Sequence, residues 1–399
     1  MDSTTIPLTI QLPSEMPFVF NLQTLVERLQ TLTDKRKARG IRYPLDVLLL
    51  IAILARLAGY TRLEPLADWA RLRATELAAL LGLKRSSMPH QSTWSRVFAS
   101  AIDLDEFETL VGQFFQEQFA TAEVPARGSI VLAVDGKTLR GTIPVGQTRG
   151  VHLVCAYLPD FGIVLAQMAV EAKENEIVAV PRLLKQLDLT GLVVVGDAMQ
   201  AQRALSIQVV EEGGDFVWFV KENQPRLLAD LELLFARPHL AKGWSDPATD
   251  FVSVKQLEKG HGRLEERTII VSRMLKDYLD WPYLDQVFRL ERRARQAGKE
   301  SIEVRYGVTS LPPSVASATR LMEIARTEWG IENGLHHRRD VTLEEDACQV
   351  RRGQAPQVLA VLNNVVLGLV LRTGARNLAA AQRSFAYSFD RLLARCTPT

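Results

Sequence analysis

Ile130-Val-Leu-Ala-Val-Asp135-Gly-Lys-Thr138 reads as an apolar strand that ends on a carboxylate. A short, β-branched-rich apolar run of this kind fits a strand buried on both faces. Gly191-Leu-Val-Val-Val-Gly-Asp197 repeats the pattern. In α/β sheets the carboxyl ends of strands are where ligands bind, so Asp135 and Asp197 become candidate site residues. A third acid, Glu332, lies in the helical stretch Glu328-Trp-Gly-Ile-Glu-Asn-Gly-Leu-His-His-Arg-Arg339. Two carboxylates at strand ends and a third on a later helix can hold a pair of divalent cations over a phosphodiester. Such a pair stabilises both the attacking and the leaving oxygen of an in-line displacement. Mg2+ suits a site of few carboxylates completed by water and phosphate.

Further strand candidates surround the first run. Val151–Tyr157 and Gly162–Met168 are joined by the turn Leu158-Pro-Asp-Phe161. Glu176–Leu187 reads as a helix, Leu192–Val195 as a strand, Ala201–Glu212 as a helix and Phe216–Lys221 as a strand. The order β-β-β-α-β-α-β is that of an RNase H-like fold, in which the first and fourth strands are neighbours, so Asp135 and Asp197 are expected side by side. Residues 225–312 break the alternation. Val252–Gln256, Leu264–Ser272, Val287–Arg293 and Ile302–Thr309 read as strands, with turns at Gly260-His-Gly262 and Gln296-Ala-Gly298. A long helix from about Ala316 to Leu335 then carries Glu332, and Val358–Leu371 forms an apolar helix.

The expected fold class is α/β: an RNase H-like core interrupted by a mostly β insertion, with an α-helical amino-terminal domain. Residues 1–20 form a flexible arm with Pro7, Pro13 and Pro17. Residues 21–122 are helical and read as a DNA-binding domain, with stripes Leu22, Leu25, Leu29, Leu32 and Leu49, Ile53, Leu57. Thr75–Leu81 is another short helix, and Ser92-Thr93 reads as a cap before Trp94–Ala99. Residues 129–224 are the first part of the core, 225–312 the insertion, and 313–399 the helix of Glu332 with a helical tail.

The bulk numbers fit this division. A chain of 399 residues exceeds one compact core, and 47% hydrophobic with 24% charged residues is ordinary globular composition. Cys155, Cys348 and Cys396 make no metal-site spacing and suggest a reducing cytosol. The opening residues read as no signal peptide, and the apolar run Val47–Ala55 is far shorter than a membrane span. The expected location is cytoplasmic, with no membrane partner. Net charge is only +2, but basic residues cluster. Lys35, Arg36, Lys37, Arg39 and Arg42 form one group, Arg289, Arg292, Arg293 and Arg295 a second, and Arg338, Arg339, Arg351 and Arg352 a third. Each reads as a phosphate-binding patch or as solvated surface.

The motifs together resemble one family. Val134-Asp-Gly-Lys-Thr-Leu-Arg-Gly141, Glu174-Asn-Glu-Ile177, Gly196-Asp-Ala-Met199 with Gln202, and Lys221-Glu-Asn-Gln-Pro225 are similar to DDE transposases of bacterial insertion sequences, in the ISAs-type, H-repeat-associated branch. So are Gly260-His-Gly-Arg263 and Trp329-Gly-Ile-Glu-Asn333. The resemblance spans about residues 30–390. It implies a catalytic, metal-binding triad of Asp135, Asp197 and Glu332, two Mg2+ ions with Mn2+ as substitute, and double-stranded DNA (element ends and target) as partner. It also implies a homodimer on DNA. The wider group's glutamate signature has a tyrosine and an arginine before the glutamate and a basic residue seven positions after it. Arg339 stands at that last position. Ala325 and Glu328 replace the earlier two, with Arg326 nearby as a substitute.

Glu332, His336 and Arg339, spaced i, i+4, i+7, are expected on one helix face, with Arg339, His336, Arg326 and Lys137 toward phosphate. Lys137 reads equally as an ordinary residue after a strand. His261 reads either as a DNA contact or as a plain turn histidine. Trp329 reads as a base-stacking or a core residue. Lys35, Arg36, Lys37, Arg39 and Arg42 are the expected DNA-end contacts. The activity expected is metal-dependent cleavage and strand transfer. Its alternatives are a catalytically silent DNA-binding protein or a nuclease without strand transfer.

Overall fold

The computed structural model describes residues 8–11, 17–20, 22–120, 126–171, 173–236, 250–260, 263–296, 299–372, 374–375 and 377–388. The chain begins with strands β1 (Leu8–Gln11) and β2 (Pro17–Phe20), followed by helices α1 (Leu22–Thr31), α2 (Leu45–Leu57), α3 (Leu63–Leu72), α4 (Ala74–Leu80), α5 (Gln91–Ser100) and α6 (Leu104–Ala120). Strands β3 (Ile130–Thr138), β4 (His152–Leu158) and β5 (Ile163–Ala169) come next. They lead to α7 (Glu176–Leu184), β6 (Leu192–Gly196), α8 (Arg203–Glu211), β7 (Asp215–Val220) and α9 (Pro225–Ala236). Strands β8 (Val252–Gly260), β9 (Arg263–Ser272), β10 (Gln286–Gln296) and β11 (Lys299–Thr309) precede α10 (Ala318–Ile331), α11 (Ala355–Arg372) and α12 (Leu378–Tyr387).

These elements divide into two compact units. One comprises residues 1–124, 136–173 and 332–399, and the other residues 125–135 and 174–331. The chain passes between them at four points: at 124/125, inside β3 at 135/136, at 173/174 before α7, and at 331/332 at the end of α10.

The first unit is mainly helical. Helix α2, Leu-Asp-Val-Leu-Leu-Leu-Ile-Ala-Ile-Leu-Ala-Arg-Leu, is apolar almost all round and accordingly buried. Its cover is α11, equally apolar, which also packs on α5 and α6. By length and composition α11 could cross a membrane, but 89% of it is buried inside this unit. The antiparallel hairpin β4–β5 lies against α6 and α11. An antiparallel pair, β1 with β2, joins Leu8-Thr-Ile-Gln11 to Pro17-Phe-Val-Phe20. One local expectation is corrected here. The cap of α5 is His90, whose Nδ1 accepts from the Ser92 N–H at 3.2 Å, so Ser92 and Thr93 lie inside the helix.

The second unit is a mixed sheet in the order β3-β6-β7-β11-β10-β9-β8. β3, β6 and β7 are parallel and the remaining pairs antiparallel. Ile130–Val134 and Leu192–Gly196 are buried throughout, which is why these runs show no polar alternation. The charge at the start of β7 is matched: Asp215, 1% exposed, accepts from Arg127 Nε at 2.7 Å and Nη2 at 2.8 Å and from Ser310 Oγ at 2.8 Å. The four strands expected in residues 225–312 are β8 to β11. They extend the same sheet, because β11 adds to β7 with Val308 opposite Trp218. Both turns expected between them, around His261 and Ala297-Gly298, lie outside the described residues.

Candidate active site

The parallel register of β3 and β6 places Val134 opposite Gly196, so the next residues, Asp135 within β3 and Asp197 just past β6, follow at the same level of the sheet. Both are half-buried. Asp197 caps a single 3-10 turn, with its Oδ1 accepting from the Met199 N–H at 2.9 Å. Burial pushes its carboxyl above the ordinary carboxylate range. That hydrogen bond opposes the shift, and the charges of Asp135, Glu176 and Glu328 add to it. Three acids, from β3, α7 and α10, therefore act on Asp197 at the end of β6 in the second unit. A hard divalent cation, which takes oxygen donors, fits this donor set and would relieve its mutual repulsion.

Glu176 and Glu328 were not singled out as site residues from sequence. Glu176 begins α7 within Glu174-Asn-Glu-Ile177, and its Oε2 accepts from Gln200 Nε2 at 3.4 Å. Glu328 is held by both nitrogens of Arg305, each at 3.0 Å. The Arg305 guanidinium also lies 3.4 Å from the Phe219 ring centroid. A guanidinium thus reaches the turn before Glu332 from β11, although position 328 itself is acidic. Nothing in the local sequence marks Arg305, because strand pairing brings it there. Arg326, the substitute considered from sequence, is exposed and engaged with Glu258 at 2.6 Å.

In the first unit, Glu332 is exposed and opens a π-helical segment, Glu332–His336, followed by a second, Arg338–Thr342. Hydrogen bonds in such turns run to the fifth residue, which breaks the 3.6-residue periodicity. Exposure falls along this segment: Glu332 is exposed, whereas His336 is 4% and Arg339 0% exposed. Ligand atoms of Glu332 and His336 still lie within 4.8 Å of one another. Gly334 allows close packing here, since a Cβ would meet the buried Tyr157 hydroxyl at 2.9 Å. Arg338 Nη1 donates to the Gly334 carbonyl at 2.9 Å.

The remaining basic candidates divide into paired and unpaired groups. Lys137, 8% exposed, forms ion pairs with Asp340 and, at 3.4 Å, with Asp346. Lys35 pairs with Asp103 at 2.9 Å, and Arg36 grips Asp34 and the Tyr43 carbonyl. Lys37, Arg39 and Arg42 are exposed and form no ion pair among the described residues. His261 and the Trp329 side chain lie outside the described residues.

Comparison with known proteins assigns the family. The profile described as "Transposase DDE domain" matches residues 126–369, more than half of the chain, and the one described as "DDE_Tnp_1-associated" matches residues 26–115. The chain belongs to the DDE transposase family. Among curated relatives, "Putative transposase YncI" of Escherichia coli O157:H7 is 29% identical over 360 residues, covering 88% of each chain. "H repeat-associated putative transposase YhhI" of Escherichia coli K12 is 28% identical over 359 residues, 88% of this chain and 90% of that one. Among solved structures, a piggyBac transposase synaptic complex with hairpin DNA matches at TM-score 0.40 and 11% identity, over 95% of this chain and 80% of that chain. The associated segment of this DDE transposase falls on α1–α6, and the DDE domain begins just before β3 and ends within α11.

Proposed function

We propose that this DDE transposase cuts DNA at the ends of an insertion sequence and joins the freed 3′ ends to a target. Asp135, Asp197 and Glu332 would hold two Mg2+ ions. What supports this reading, within the DDE family, is the parallel β3–β6 register that delivers Asp135 and Asp197 together. The strand order of the second unit and the β4–β5 hairpin after β3 support an RNase H-like core. The linear division into arm, helical DNA-binding domain, core, β insertion and catalytic tail remains part of this reading.

The ion pair would lower the charge cost of the attacking and leaving oxygens. The protein's own part is to hold carboxylates at fixed strand ends, where they cost no reorganisation when the phosphodiester arrives. His336, buried beside Glu332, is placed to limit the rotation of that carboxylate. Lys137 and Arg339 would reach phosphate only by leaving their present acidic partners.

DNA ends would be met by the amino-terminal helices. Lys37, Arg39 and Arg42, exposed and in no ion pair among the described residues, are the best-placed phosphate contacts there. Their joint replacement by Ala should lower the slope of log K against log salt by roughly two to three, as counterion release requires. An unchanged slope in fluorescence anisotropy would remove them from the interface. Two protomers on paired ends complete the proposal.

The test of the whole reading is labelled linear DNA carrying the element's ends, incubated with the protein, Mg2+ and a target plasmid. Cleaved ends and joined products are expected. Binding with no cleavage in Mg2+ or Mn2+ would make it a DNA-binding protein. Cleavage with no joined product would make it a nuclease.

A further inference from the structure

The first unit buries a chain of polar side chains that ends on the helix carrying Glu332. Arg339 is fully enclosed. Its Nε donates to Glu345 Oε2 at 2.8 Å, and its Nη1 to Gln167 Oε1 at 3.2 Å and Asn364 Oδ1 at 3.3 Å. The acceptors are themselves fixed. Asn363 Nδ2 donates to Glu345 Oε1 at 2.9 Å, and Asn364 Nδ2 to Gln167 Oε1 at 2.8 Å. β5, α11 and the loop after the second π-helical segment therefore converge on one guanidinium.

A planar fork with several donors can satisfy three acceptors from three directions, which a lysine ammonium on a flexible stem cannot reproduce. The enclosed guanidinium is held through Nε and Nη1, its Nη2 having no hydrogen-bond partner among the described residues. Any shift would break the bonds it does make, at the cost of leaving more buried polar atoms without partners. The helix bearing Arg339 is thus pinned in rotation and in height. Between Glu332 and Arg339 the turns are π-helical, a form with little intrinsic stability that persists where surrounding contacts enforce it.

We infer that Arg339 is a positioning residue, which through Glu345, Gln167 and Asn364 holds the π-helical turns so that the exposed Glu332 carboxylate faces one fixed direction. The inference rests on the proposed role of Glu332 as a metal ligand. It assigns the basic residue seven positions after that glutamate to the interior of the protein rather than to the DNA backbone. A phosphate contact would require an accessible guanidinium, and this one has no exposed surface.

The experiment uses full-length protein with Arg339→Lys, Asn364→Ala and Glu332→Gln beside the wild type. Cleavage of end DNA is followed as a function of Mg2+ concentration. DNA affinity, its salt slope and the melting temperature are measured in parallel. Loss of an outer partner of a metal ligand typically weakens metal affinity 10–100-fold. Arg339→Lys and Asn364→Ala are accordingly expected to raise the half-saturating Mg2+ concentration about tenfold or more, with DNA affinity and salt slope unchanged. An unchanged Mg2+ requirement in folded Arg339→Lys overturns the inference. So does a salt slope lowered by about one, the mark of a lost phosphate contact. If Arg339→Lys does not fold, Asn364→Ala decides alone, and an unchanged Mg2+ requirement overturns the inference there as well. Full cleavage by Glu332→Gln overturns the reading of the site itself, and this inference with it. An inactive Glu332→Gln with an unaffected Arg339→Lys leaves that reading standing and removes only the positioning role.

Discussion

Asp135→Asn, Asp197→Asn and Glu332→Gln are each expected to lower cleavage of end DNA by roughly a thousandfold or more in Mg2+. Each exchange keeps the shape of the side chain and removes one unit of negative charge. If the carboxylates hold the ions, the loss falls on transition-state stabilisation, where every ~1.4 kcal/mol is a factor of ten. A metal contribution of several kcal/mol then accounts for the size of the effect. DNA affinity should change little, because the helices proposed to grip the ends carry none of these residues. Asp197→Asn carries a second expectation. Burial and the charges of Asp135, Glu176 and Glu328 disfavour its ionised form, so without metal the Asn variant should melt no lower than wild type. Thermal melting with and without Mg2+, beside a gel-based cleavage assay, tests both. Wild-type cleavage by any one of the three variants would sink the triad.

The second large effect concerns pH. Glu108 lies on α6, half-buried as a residue but with its carboxyl group enclosed, and its Oε1 accepts from Gln167 Nε2 at 3.3 Å. Burial raises its pKa to about 8; the Gln167 hydrogen bond opposes the rise and the charge of Asp105 adds to it. In the unfolded chain a glutamate releases its proton near ~4.3. Between that value and about 8 the folded state therefore binds the extra proton. By linkage, stability falls as pH rises through this window, by up to about 1.4 kcal/mol per pH unit, and levels off above it. Urea unfolding at pH 5.5, 7.0 and 8.5 should show this decline in the wild type. Glu108→Gln, which keeps the hydrogen bond without the ionisable proton, should flatten it. Parallel declines in both proteins would mean that another group is responsible.

How far the sequence alone carried depends on which residues one asks about. Ile130–Val134 and Leu192–Gly196 were legible because a strand buried on both faces needs an unbroken apolar run. The acids ending those runs were legible for the same reason, since each is the first polar residue after the apolar run, Asp135 still within β3 and Asp197 just past β6. The four strands of the extension were visible by alternation, but not their attachment to β7, which depends on a pairing distant in sequence. The fate of Arg339 could not be read. Four residues with separate sequence neighbourhoods, Cys155, Gln167, Glu345 and Asn364, enclose it, and a charge on a helix is ordinarily solvated. One local clue existed: Asn363-Asn364 interrupts an otherwise apolar helix, and paired amides in such a place need a polar partner indoors. The π-helical turns left no mark, because periodicity is counted at 3.6 residues per turn.

The packing of α11 against α2, α5 and α6 bears on how the chain is made. A ribosome delivers the amino-terminal helices first, yet the wall that closes their core arrives only with residues 355–372. Until then α2 packs on α1 and α3 alone, and the face that α11 covers stays open. The segment that would grip DNA is finished only once residues 355–372 have been made. A chain interrupted before residue 355 leaves this region unfinished, so the proposed binding and cutting would be delivered by synthesis as a single package.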